Sequence, residues 1–193
     1  MDCFAVYWQV KLEEASRQYC VMRTPFGTYC FNVLPMGLSN AVSYFQSMME
    51  RIFSEFLWDF MVVYLDDMAV VSESEGEHLV HLEKVFKLCL KWGVCLKFKK
   101  CQFFVKEFKY LGFVVSRSGV YPDEGKVKAL ADRPSPTNVR ELRSFLGLGN
   151  YFRRFIPHYA DLVIPLGALL KKNARWEWSE ACDEAFRGVK DIL

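Results

Sequence analysis

The chain has 193 residues, of which 52% are hydrophobic and 16% aromatic, with 17 Phe among them. This is the composition of a core-forming globular protein and excludes a disordered one. A net charge of +2 excludes a binder that works through bulk positive charge, yet Lys91, Lys97, Lys99, Lys100, Lys106 and Lys109 form a basic stretch opposed only by Glu107. The seven cysteines are odd in number, scattered and without a CxxC pair, which argues against a disulfide framework or zinc site and for a reducing intracellular setting. No apolar run approaches transmembrane length and no signal peptide precedes the first polar residues, so no membrane partner is expected.

Taken in order, Asp2–Val10 is predicted as a strand leading into a turn. Pro25-Phe26-Gly27-Thr28 is a turn signal followed by a short strand, Tyr29–Leu34. The loop Pro35–Asn40 ends in residues that cap helices well, and Ala41, Phe45, Met48, Met49, Ile52, Phe53, Phe56 and Leu57 then fall at helical spacing over about four turns. Phe60–Val71 reads as a hairpin. A helix is expected to begin within Ser72–Glu77, to turn Leu79, Leu82, Val85, Phe86 and Cys89 to one face, and to stop at Gly93. Val94–Phe104 and Tyr110–Ser116 look like strands, the second followed by the turn Arg117-Ser118-Gly119.

From Pro122 the pattern becomes helical. Pro134-Ser135-Pro136 is a breaker, Thr137-Asn138 with Glu141 resembles a capping box, and helical segments run to about Leu148 and through Arg153–Tyr159. Arg175–Trp178 alternates like a strand, and Ser179 opens an amphipathic helix carrying Ala185, Phe186, Val189 and Ile192. Strands with crossing helices, then helices alone, predict an α+β fold.

The chemically unusual stretch is Tyr64-Leu65-Asp66-Asp67, two adjacent acids between two apolar runs of strand length. Like charges beside a core repel one another and resist desolvation. The pair is therefore either a plain Asp-rich turn or a site that holds a cation. Asp2 lies on another expected strand, and three carboxylates on two neighbouring strands would suit a pair of magnesium ions, which take oxygen ligands and substrate phosphates. His78 and His81 stand at zinc-compatible helical spacing, but with no further Cys or His nearby they are expected at the surface.

These motifs resemble, in order and spacing, those of reverse transcriptases of gypsy-type long-terminal-repeat retrotransposons. Asp2 with Tyr7-Trp8-Gln9-Val10 resembles the first palm motif, Leu34–Ala41 with Phe45-Gln46 the second, and Tyr64–Asp67 the signature motif. Lys100–Phe103 and Tyr110–Ser116 resemble the fourth and fifth. Pro134–Pro136, Leu142–Leu148 and Asn150–Ile156 are similar to the stretch that follows the palm.

The resemblance implies a palm of antiparallel sheet and packed helices over residues 1–121, a helical thumb over 122–160, and a connection with the beginning of a ribonuclease H-like domain over 161–193, the fingers being largely missing. It implies Asp2, Asp66 and Asp67 as catalytic and metal-binding residues for two magnesium ions, with manganese as a substitute. Tyr7, Met36, Gly37 and Lys100 (or Lys99) would bind the incoming dNTP, Tyr7 by excluding a 2′-hydroxyl. Tyr64, Leu111, Gly112 and Phe113 would contact primer and template, with Arg140, Arg143, Arg153 and Arg154 on the duplex backbone. The partners implied are an RNA or DNA template with its primer, dNTP, and the fingers and ribonuclease H portions of the same polyprotein, in a cytoplasmic virus-like particle or the nucleus.

Three positions depart from the family pattern: Val6 where a small residue is usual, Val42 where Pro is, and Met36 where Phe or Gln is common. The alternative is a catalytically inactive, truncated remnant that binds nucleic acid at most, or a fragment of a polyprotein that is also a ribonuclease H.

Overall fold

The computed structural model describes residues 1–191, so the expectation for Ile192 lies outside the described residues. The chain divides into two compact units, one of residues 1–105 and one beginning at Lys106.

In the first unit, helix α2 (Ala41–Ile52) forms the backbone of the core. Ala41, Phe45 and Met49 recur every fourth position and are buried, and Phe53, just past the last turn, continues the stripe. A buried Phe side chain of this kind contributes about 2–3 kcal/mol by leaving water. The helix starts at Asn40, whose side chain makes no capping bond, and ends at Ile52, so Phe56 and Leu57 belong to the following turn rather than to the helix.

Strands β3 (Met61–Tyr64) and β4 (Asp67–Val70) pair antiparallel, with Tyr64 opposite Asp67 across the turn Leu65-Asp66. Met61 and Val63 point into the core with Met68, as the period of two requires. Helix α3 (Glu75–Trp92) is capped by Ser74, whose side chain accepts from Glu77 N–H, and stops at Gly93, which takes φ +71°. Leu82, Val85 and Cys89 bury its inner face, whereas Leu79, expected there, is 59% exposed. The short helix α1 (Glu14–Arg17) and the hairpin of β1 (Val21–Thr24) and β2 (Gly27–Cys30) complete the unit.

Two expected strands are not formed. Only Asp2 and Cys3 pair, through bridges to Asp67 and Leu96, before the chain turns at Ala5 (φ +48°) into a 3₁₀ helix, Val6–Gln9. The turn is held by Gln9, whose Nε2 donates to Phe4 O and to Cys95 O (3.1 Å) while its Oε1 accepts from Cys95 N–H at 2.7 Å. Likewise Val94–Phe104 contributes a bridge at Leu96 and then a 3₁₀ turn, Phe98–Lys100. A strand needs a partner along its length, and neither stretch has one beyond two or three residues.

In the second unit, β5 (Glu107–Tyr110), β6 (Phe113–Ser116) and β7 (Gly119–Pro122) form an antiparallel sheet in sequence order. The stretch Tyr110–Ser116, expected as one strand, is broken by the two-residue turn Leu111-Gly112. Helices α4 (Glu124–Ala131), α5 (Val139–Tyr151), α6 (Tyr159–Leu162), α7 (Ile164–Ala168) and α8 (Glu180–Asp191) follow. Asn138 caps α5 by accepting from Glu141 N–H, and Glu141 reaches back to Thr137 N–H at 2.8 Å, a reciprocal capping pair. Leu130, Leu142, Phe145, Leu166, Phe186 and Val189 form the core. Arg153–Phe155 is a 3₁₀ turn rather than part of a longer helix, and Arg175–Trp178 forms no strand; Trp176 and Trp178 stack on each other instead. Among the described residues no helix is long and apolar enough to cross a membrane.

Candidate active site

The turn Leu65-Asp66 joins β3 to β4 and presents the first of the adjacent acids. Leu65 stands at φ +54°, a region that suits Gly and that a branched side chain enters only under constraint. The constraint comes from α2. Gln46 Oε1 accepts from Leu65 N–H at 2.6 Å, and Gln46 Nε2 donates to Val63 O at 3.1 Å and to Glu50 Oε1 at 2.8 Å. One amide therefore ties the end of β3 at Val63 to the first residue of the turn that presents Asp66.

The third carboxylate arrives from the first residues of the chain. Asp2 is bridged to Asp67, Cys3 N–H donates to Asp66 O at 3.0 Å, and Met68 N–H donates to Met1 O at 2.9 Å. On the other side Lys97 N–H donates to Asp2 O at 2.8 Å and Phe4 N–H to Cys95 O at 2.9 Å. Residues 2–4 thus lie between β4 and residues 95–97, bringing Asp2, Asp66 and Asp67 to one end of the sheet.

The electrostatics of this corner are those of crowded negative charge. Partial burial pushes the Asp67 carboxyl above the usual carboxylate range, and neighbouring Asp66 and Asp2 push it further. Cys3, buried between these acids and Cys89, is pushed up to about 12, first by burial and then by its charged neighbours, and is an inert thiol. Lys100 Nζ stands 3.5 Å from Asp2 Oδ2. Among the described residues no three His, Cys, Asp or Glu side chains are drawn together as a ready metal cage. The donor chemistry still suits a hard divalent cation: oxygen ligands only, with like charges that resist ionising together.

The remaining expected residues of this unit are distributed as follows. Tyr7 lies on the 3₁₀ helix rather than on a strand, half-buried, with its ring edge-on to Phe45 at 5.7 Å. Met36 is 69% exposed, and Gly37 takes φ +93° in a loop with open space around its Cα. Tyr64 is exposed at the end of β3. Lys99 and Lys100 both lie on the 3₁₀ turn after Leu96. His78 and His81 are not simple surface residues. Their Nδ1 atoms share Ser72 Oγ, at 3.0 and 2.8 Å, and His81 stacks on Phe60.

In the second unit Leu111 (φ +48°) and Gly112 (φ +76°) form the β5–β6 turn. Tyr151 from the end of α5 donates its hydroxyl proton to Leu111 O, and its ring stacks on Phe113 at 5.0 Å with Lys126 Nζ over it at 5.0 Å. A Cβ at Gly112 would stand 3.0 Å from the Tyr151 hydroxyl and would meet the end of Lys126. Arg140 and Arg143 on α5, and Arg153 and Arg154 in the 3₁₀ turn, are exposed.

Sequence reasoning assigned no role to Gln46, Gln9 or Tyr151. Gln46 falls inside a quoted motif, but nothing local says that its amide reaches a turn far along the chain.

The model of the reverse transcriptase (RNA-dependent DNA polymerase) family matches residues 1–115. The chain belongs to the reverse transcriptase family. Its relatives include the transposon Tf2-3 polyprotein of Schizosaccharomyces pombe, 31% identical over 193 residues, which cover 100% of this chain and 14% of that protein. The retrovirus-related Pol polyproteins from transposons 297 and 412 of Drosophila melanogaster are 36% and 35% identical, again over 100% of this chain but 18% and 16% of theirs. These are gypsy-type Pol polyproteins, the group that the motifs resemble, and this reverse transcriptase chain spans less than a fifth of their length.

The fold is likewise that of solved reverse transcriptases. A foamy viral protease-reverse transcriptase in complex with ds DNA superposes with a TM-score of 0.89 at 24% identity, over 98% of this chain and 34% of that one. The same type of protein in complex with RNA/DNA hybrid gives 0.83, over 98% and 26%. The α+β architecture, antiparallel strands with packed helices and then a helical part, matches their palm and thumb.

Proposed function

We propose that this chain supplies the palm (residues 1–121) and thumb (122–160) of an RNA-directed DNA polymerase, with 161–193 connecting to a ribonuclease H-like domain. The reaction is attack of a primer 3′-hydroxyl on the α-phosphorus of a dNTP, templated by RNA or DNA, with pyrophosphate leaving. The observation that carries this reading is the pairing of Asp2 with Asp67 beside Asp66 at one end of one sheet. Asp2 and Asp66 are the principal ligands for magnesium or manganese, and Asp67 supports them. When bound, the ions neutralise charge building on the transferred phosphoryl group and make the primer hydroxyl easier to deprotonate.

The chain's own residues do the rest by position. Tyr7, fixed edge-on against Phe45, keeps its ring where a 2′-hydroxyl would have to pass. Met36 and the open backbone at Gly37 line the nucleotide pocket. Lys100, already beside Asp2, offers positive charge to the triphosphate. Tyr64, the Leu111-Gly112-Phe113 turn, Arg143 and Arg153 hold primer and template, the arginines through phosphates. The template-primer, dNTP and the polyprotein's fingers and ribonuclease H portions are the partners in this reading.

Asp66→Asn tests it. Magnesium-dependent extension of a primed poly-rA template by the full-length protein should fall at least about a hundredfold. Unchanged extension overturns the assignment, and duplex binding with no incorporation by either form marks a non-catalytic nucleic-acid-binding protein.

A further inference from the structure

Gln46 stands on α2 next to Phe45, so adjacent residues of one helix touch both halves of the candidate site. Phe45 abuts Tyr7, and Gln46 grips the turn that presents Asp66. The grip has a defined polarity. The carbonyl oxygen of the amide accepts from Leu65 N–H at 2.6 Å, while its nitrogen donates to Val63 O at 3.1 Å and to Glu50 Oε1 at 2.8 Å. Val63 and Leu65 flank Tyr64, and Leu65 is the turn residue at φ +54°. A tight turn with a positive-φ Leu is held only if its surroundings over-determine it, and Gln46 is the side chain that bonds its incoming strand at Val63 and its first residue at Leu65.

We infer that Gln46 is a positioning residue for nucleotidyl transfer: it fixes the Leu65-Asp66 turn so that the Asp66 carboxylate is held at one height against Asp2. The inference rests on the polymerase reading above. Gln46 touches neither substrate nor reacting atoms. It acts through the backbone of Val63 and Leu65, and its loss should change how often Asp66 is in place rather than how well nucleotide binds.

The polarity makes the idea specific. Methionine keeps about the length of glutamine but makes none of the three bonds. Glutamate keeps the acceptor for Leu65 N–H, loses the donor to Val63 O, and faces Glu50 with like charge. The test uses the full-length protein with Gln46→Met and Gln46→Glu, measuring kcat and KM for dNTP on a primed template, primer-template binding, and hydrogen exchange at the Leu65 amide.

For Gln46→Met we expect kcat to fall about tenfold or more, because a small misplacement of a reacting geometry is costly. KM and primer-template binding should stay within about twofold, and the Leu65 amide should exchange faster than its strand neighbours. For Gln46→Glu the Leu65 amide should stay protected and the kcat loss should be smaller. A kcat for Gln46→Met within about twofold of wild type overturns the inference while leaving the polymerase reading in place. So does a parallel fall in kcat, duplex binding and thermal midpoint, which would mark a general structural loss. If wild type and Asp66→Asn alike fail to extend primers, the polymerase reading fails and takes this inference with it.

Discussion

The molecule contains two tight hairpin turns that invite comparison, Leu65-Asp66 in the first unit and Leu111-Gly112 in the second. Both begin with a Leu at positive φ, +54° and +48°. They are braced differently. The first is gripped by a side-chain amide that makes two backbone bonds, at Val63 in its incoming strand and at Leu65 in the turn itself. The second receives one hydroxyl bond at Leu111 O, with an aromatic ring stacked behind it on Phe113. In the first turn the second position carries a carboxylate, Asp66. In the second it carries no side chain, and Gly112 leaves the space that Tyr151 and Lys126 fill. The difference teaches that strain at a turn can serve two ends: presenting a charged group, or letting a backbone come close.

The largest effect should come from filling that space. Gly112→Val places a β-branched side chain at φ +76° and against Tyr151, and should destabilise the second unit by about 2–3 kcal/mol. The urea midpoint of unfolding, followed by Trp fluorescence, checks this; no shift would mean that the turn simply opens.

Next, Asn tolerates the left-handed region, and Asn-Gly is the favoured two-residue hairpin turn. Leu111→Asn should therefore stabilise by about 0.5–1 kcal/mol. Leu65→Asn should stabilise less because Gln46 already holds its turn. Paired thermal melts of the two variants read the difference, and equal gains would erase the distinction drawn between the turns.

The smallest effects concern pH, and here the two regions have opposite sign. Lys109, 2.6 Å from Asp123, holds that carboxyl below the usual range. Its contribution is present above the ordinary carboxylate pKa and is lost as pH falls through the lowered one. Lys109→Met should lower the midpoint at neutral pH, and the gap should close in acid. Asp67 is raised, so its ionisation opposes folding as pH rises through the carboxylate range. Asp67→Asn, without added divalent cation, should be more stable than wild type at neutral pH and equal to it in acid. Thermal melts across that range test both, and gaps of the same sign would contradict the assignment.

How far the sequence could be read follows from how local each cause is. The Asp66-Asp67 hairpin was legible because two apolar runs bracket a turn. Helix α3 was legible because Ser74 and Gly93 mark its ends in adjacent residues. The 3₁₀ helix at Val6–Gln9 was not, since Cys3–Trp8 is an unbroken apolar run of strand length and only the bonds between Gln9 and Cys95 reveal the fold-back. Leu79 fits the helical stripe of α3, yet on that turn His78 and His81 face inward, sharing Ser72 Oγ with His81 stacked on Phe60, and Leu79 is left exposed. For the candidate site, the three acids could be named from motif order. Their supports could not, because Gln46 and Tyr151 act across distances in sequence that carry no periodic signal.

The insertion of residues 2–4 between β4 and residues 95–97 has a kinetic consequence. Every pairing that brings Asp2 to Asp67 and to Lys97 closes a long loop, and such closures are entropically costly and slow. The hairpin carrying Asp66 and Asp67 can form early from neighbours in sequence. The three carboxylates come together only when the segment around Asp2 docks, so a chain that has collapsed without docking this segment would be compact and helical, yet lack Asp2 beside Asp66 and Asp67.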